Sequence, residues 1–148
     1  DLLCVFETAG DDGESKEARF ARGRAILKKE RADEPFHWGT GPYAGLVATM
    51  FKPKAIFMIG FDLYGLPNKG VNNVYKNTTG YDYIKSAVDP SYWIHQFNKL
   101  FEHTDCRWIV VNSKDWKMPE SWVKNKNVFQ ESYEGLAKWC NKQLTNSK

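Results

Sequence analysis

Five places along the chain carry side chains with chemistry to offer. Gly39-Thr40-Gly41-Pro42 stands just ahead of a helical pattern. Its glycines permit close backbone approach, and a helix behind them aims free N–H groups and the positive end of its dipole outward, which suits a phosphate or a carboxylate. The same residues also make an ordinary strand-to-helix turn in which Thr40 caps the helix and does nothing else. Gly60-Phe61-Asp62-Leu63-Tyr64 follows an apolar run. There Asp62 can accept from ligand hydroxyls and Tyr64 can donate to a ligand oxygen, although Asp62 fits a turn cap equally well. Asn112-Ser113 closes another such run. His95 is of the residue type that serves as a general base near neutral pH; an exposed helix histidine without a role fits the sequence too. Tyr75, Tyr81 and Tyr83 lie in polar sequence and are better ligand candidates than Trp93, Trp108, Trp122 and Trp139, whose apolar surroundings point to core packing.

These groups need a frame. Leu2–Phe6 and Ala55–Ile59 are unbroken apolar runs and Arg107–Val111 nearly so, as expected of strands covered on both faces. Four helices are read between and after them. Glu14 to Arg31 has a narrow stripe of Ala18, Ala21 and Ala25 with Phe20. The next begins at Thr40 as N-cap with Pro42 in its first turn, and Tyr43, Leu46, Val47 and Met50 form its inner face at i, i+3, i+4 and i+7. Lys52-Pro53-Lys54 stops it. The third opens with Asp89 as cap and Pro90 at its first position, and buries Trp93, Phe97, Leu100 and Phe101. At 100° per residue His95 then lies roughly 160° from Phe97, pointing away from the core. Tyr133 to Leu144 closes the chain with Leu136, Ala137, Trp139 and Cys140 available for packing. Shorter pieces are a strand at Phe36–Trp38, a helical turn from Glu120 to Lys126 and a strand at Val128–Phe129. From Leu63 to Val88 no period is visible, and long loops in compact domains are usually functional.

Alternating strands and helices give an α/β fold class: an open, Rossmann-like domain with a mainly parallel sheet and helices on both faces. Such sheets bind ligands outside the carboxyl ends of their strands. That rule selects Gly39–Pro42, Gly60–Tyr64 and Asn112–Ser113.

With 148 residues the chain fits a single domain spanning 1–148. It opens directly in a strand without a Met, so residues upstream of Asp1 are expected. An aromatic fraction of 15% argues against a disordered tail, and no run approaches the length of a spanning helix. The net charge of +3 is small. Arg19, Arg22, Arg24, Lys28, Lys29 and Arg31 form one basic stretch, which reads as a solvated helix face or as a nucleic-acid stripe; the low net charge ranks nucleic-acid binding below the other readings. Cys4, Cys106 and Cys140 are odd in number and lack C-x-x-C spacing, so reduced thiols in a cytoplasmic protein are expected. Three scattered histidines offer no metal-ligand spacing.

Taken in order, Phe36-His37-Trp38-Gly39-Thr40-Gly41, a helix, Ala55 to Tyr64, a tyrosine-bearing loop and Ser91-Tyr92-Trp93-Ile94-His95 resemble the bacterial sialyltransferases of glycosyltransferase family 42. The resemblance spans Phe36–Ser113, about half of the chain, and rests on shared order rather than on any one specific motif. It implies metal-independent, inverting transfer of sialic acid from its cytidine monophosphate donor to a sugar hydroxyl, with no cofactor. It further implies that Thr40 and Gly41 touch the donor nucleotide and that Asp62 belongs to the donor site, with Asn112 and Ser113 nearby. Tyr64 and Tyr75 would donate to the leaving phosphate, and His95 would deprotonate the acceptor. In the family a loop after the first strand also holds the nucleotide. Here that loop reads Glu7-Thr8-Ala9-Gly10-Asp11-Asp12, with three carboxylates that would repel a phosphate. A non-catalytic binding module on the same fold is the alternative.

Overall fold

The computed structural model describes residues 3–7, 38–64 and 89–146, together with Ser15, Glu17, Ala18, Phe20, Ala21 and Ala25. The order of elements is β1 (Leu3–Glu7), α1 (Thr40–Thr49), β2 (Ala55–Ile59), α2 (Ser91–Glu102), β3 (Arg107–Val111), α3 (Glu120–Val123), β4 (Val128–Glu131) and α4 (Tyr133–Asn146). They build a mixed α/β domain around one sheet of order β1-β2-β3-β4. The pairs β2–β3 and β3–β4 are parallel, with Ala55 opposite Arg107 and Trp108 opposite Val128. β1 runs antiparallel to β2 and pairs Glu7 with Ala55. Strand order therefore follows chain order, with no reversal among the described strands.

The apolar runs form strands with both faces covered because side chains alternate across the sheet. Ile56, Met58, Trp108 and Val110 face one core with Leu46 of α1, Phe97, Leu100 and Phe101 of α2, and Trp122 of α3. Ala55, Phe57 and Val111 face the other side, where Leu136 and Trp139 of α4 pack. The first core is strongly aromatic: Trp122 meets Phe97 and Phe101 edge-on at 5.6 and 5.3 Å. Such pairs add about 0.5–1.5 kcal/mol each beyond their buried area.

Several sequence expectations shift by a residue or a face. In α1 the buried residues include Pro42, Gly45, Leu46 and Thr49, while Tyr43 and Val47 are 48% and 38% exposed. The stripe turns because an added Cβ on Gly45 would lie 3.2 Å from Leu100, 3.3 Å from Phe97 and 3.3 Å from Trp108. A glycine there lets α1 lie directly on α2 and the sheet. In α2 the inner face is Gln96, Phe97, Leu100 and Phe101, and Trp93 is 36% exposed rather than buried. The N-cap of α1 is Gly39, not Thr40, and that of α2 is Pro90, with Asp89 one position earlier. Ala137 of α4 is exposed, and so are Ala18, Phe20, Ala21 and Ala25, which are helical. The basic side chains of 19–31 lie outside the described residues, as does most of the expected strand at 36–38, whose Trp38 is not in a strand. Among the described residues no helix is long and apolar enough to cross a membrane.

Candidate functional site

Because β2 and β3 are parallel, Gly60–Tyr64 and Asn112–Ser113 leave the sheet side by side at its carboxyl edge. The loop after β2 bends sharply. Gly60 has φ 83, and Leu63 has φ 61, a conformation that a bulky L-residue adopts at a cost of about 1–3 kcal/mol. Across Leu63 the Tyr64 N–H donates to the Asp62 carbonyl at 2.6 Å, the i to i+2 closure of a γ-turn. This turn throws Asp62 and Tyr64 out of line with the strand.

The loop after β3 braces that turn. Trp116 Nε1 donates to the Asp62 carbonyl at 2.8 Å, and its ring sits 6.2 Å from that of Tyr64. Asn112, buried at the strand end, donates from Nδ2 to the Phe61 carbonyl at 3.4 Å and accepts the Ser113 N–H on Oδ1 at 2.9 Å. Its carboxamide is thus committed to backbone. Ser113 is exposed, and its hydroxyl, hydrogen-bonded to Asp115, holds that carboxyl below the usual carboxylate range. Partial burial pushes the Tyr64 phenol above its ordinary value, so it stays protonated and able to donate at neutral pH.

The start of α1 meets this edge through Gly41, where an added Cβ would lie 2.8 Å from Phe61 Cε1. No side chain caps the helix, and its first turn holds no acid. Instead the Gly39 N–H donates to Oε1 of Gln96, 57 residues away, at 2.9 Å. Gln96 is wholly buried, and among the described residues its Nε2 has no hydrogen-bond partner; nor has the buried indole N–H of Trp38, one residue before the N-cap. Other tryptophans are satisfied: Trp108 donates to Thr104 Oγ1 and Trp122 to the Ile94 carbonyl, each at 2.9 Å. An unpaired buried donor costs roughly 1–3 kcal/mol, so the Gln96 carboxamide, tied to the N-cap by its oxygen, marks an unusual place.

Thr40, Gly41, Asp62, Tyr64, Asn112 and Ser113 thus fall along one edge, joined through Phe61. His95 sits on α2 beside Gln96 and is exposed, as its helical position predicts. It lies about 100° around the helix from the carboxamide that touches Gly39. Tyr75, Tyr81 and Tyr83 lie outside the described residues. Glu7, the last residue of β1, pairs with Ala55, the first residue of β2, so β1 ends at the edge opposite Gly60; residues 8–12 lie outside the described residues. The antiparallel direction of β1 thus places Glu7 away from the carboxyl ends of β2 and β3. Gln96 and Trp116 are the residues that sequence reasoning missed. Gln96 carried a signal, a polar residue on the stripe of Phe97 and Leu100; Trp116 carried only its type, an aromatic in a polar loop.

Comparison with models of known families, with curated proteins and with solved structures yields no match, so the site stands on its own geometry.

Proposed function

We propose that this is a Rossmann-like glycosyltransferase domain of the sialyltransferase type, which binds a nucleotide-sugar donor and passes the sugar to a hydroxyl of a glycan acceptor. The observation that carries the reading is the convergence of the uncapped α1 start, the Asp62–Tyr64 turn and Ser113 on one carboxyl edge. Thr40 and Gly41 face the donor's anionic end, where helix N–H groups and dipole favour negative charge. Asp62 belongs to the donor site. As the glycosidic C–O bond to phosphate breaks, the departing oxygen takes the bonding pair, and the neutral Tyr64 phenol donates a hydrogen bond to the growing charge. Tyr75 is the second donor that the family resemblance assigns. The acceptor oxygen attacks the anomeric carbon from the opposite face and gives its proton to the imidazole of His95.

Titration with millimolar cytidine monophosphate should shift the amide resonances of Thr40 and Tyr64; silence at both leaves a binding module without this donor. His95→Ala should abolish sialyl transfer from the cytidine monophosphate donor while moving the melting temperature little, because the side chain is exposed. Unfolding of that variant would make His95 a packing residue and remove the base.

A further inference from the structure

We infer that Gln96 is a ligand-binding residue, which with the uncapped start of α1 forms a charge-neutral oxyanion site for the phosphate or the carboxylate of the donor. The ligand's identity rests on the functional reading above; the existence of the site does not. Gln96 Oε1 accepts the Gly39 N–H at 2.9 Å, so the planar carboxamide is pinned at the helix start and carries its unpartnered Nε2 there. At 0% exposure the side chain has no freedom to turn that donor to solvent. Trp38 brings a second unpartnered buried N–H from the residue preceding the N-cap. Thr40 and Gly41 open the helix, where backbone N–H groups lack carbonyls one turn back. Pro42, next in line, has no N–H to contribute.

All these groups are donors. A cation, or a hydroxyl offering its proton, would meet like polarity from these groups, whereas an oxyanion accepts from several N–H groups at once. The helix dipole supplies the favourable field without a basic side chain.

The test uses the full chain, with inorganic phosphate, acetate and cytidine monophosphate as probes. Side-chain and backbone amide resonances report binding. Saturable shifts of the Gln96 carboxamide, the Trp38 indole and the Thr40 amide are expected, and the tighter of phosphate and acetate identifies the group held. Gln96→Glu keeps an acceptor for Gly39 but replaces the donor, and at pH 8 it should weaken the anion by at least about tenfold. Gln96→Met, which removes donor and acceptor without adding charge, should weaken it similarly and covers the case in which the Glu variant does not fold. Asp89→Ala, at the start of α2, should leave binding unchanged. Equal affinity in wild type and both Gln96 variants, or no response at Gln96 and Trp38 to either anion, overturns the inference. Should cytidine monophosphate bind as tightly to the variants as to wild type, the oxyanion role fails while the glycosyltransferase reading stands. Should phosphate bind through Gln96 but the nucleotide bind no better than phosphate, the reverse holds.

Discussion

The helices α1 and α2 begin at the same sheet edge, yet their first turns are finished in opposite ways. Neither N-cap residue makes a side-chain cap bond, but at α2 Asp89, one position before the N-cap Pro90, accepts the Ser91 N–H on Oδ1 at 2.9 Å. At α1 no side chain from the preceding turn caps the helix. Among the described residues Gln96 from α2 accepts the Gly39 N–H and leaves its own donor over, with the Trp93 ring packed alongside Gly39. The contrast marks the start of α1 as the place for a ligand. A helix start met by its own preceding sequence is a structural terminus, whereas one that holds a spare buried donor has chemistry left to do.

Filling the space at the start of α1 should have the largest effect. In Gly41→Val the new Cβ meets the ring of Phe61, itself wedged edge-on against Phe97 at 4.9 Å. Overpacking of this kind costs about 1–3 kcal/mol, and urea unfolding of the variant measures it. A change near zero would mean that the Phe61 loop yields freely, and the described edge would lose its rigidity.

Removing the Asp89 hydrogen bond at the start of α2 comes next. Asp89→Ala should cost about 0.5–1 kcal/mol of unfolding free energy, with donor binding untouched. Loss of nucleotide binding in this variant would erase the distinction between the two helix starts.

How much of this was legible in the residues follows from what each pattern encodes. Ala55–Ile59 and Arg107–Val111 announce doubly covered strands because every residue along β2 must be apolar when both faces are packed. The direction of β1 is not encoded that way: an apolar run reads the same whether it pairs parallel or antiparallel. The face of α1 was misread because Gly45 has no hydrophobicity to count, although its lack of a side chain is what brings Phe97 and Trp108 close. For the site, the three turns at the carboxyl edge followed from strand order and an α/β rule. Their ties did not. The Trp116–Asp62 contact spans 54 residues and the Gln96–Gly39 contact 57, and no local spacing foretells either.

The smallest predicted effect sets stability against binding. Thr40 is exposed at the first position of α1, in a turn without an acid. Thr40→Asp places a negative charge against the positive end of the helix dipole, so the fold should gain about 0.3–1 kcal/mol. The gain should shrink in high salt, which screens exposed charges. The same carboxylate occupies the position assigned to the ligand's anion and repels it, so nucleotide affinity should fall while the melting temperature rises. A start of α1 that serves only to begin a helix would show the gain without the loss. Opposite movement of the two quantities is what a terminus kept open for an anion requires, because the feature that weakens the helix is then the feature that binds.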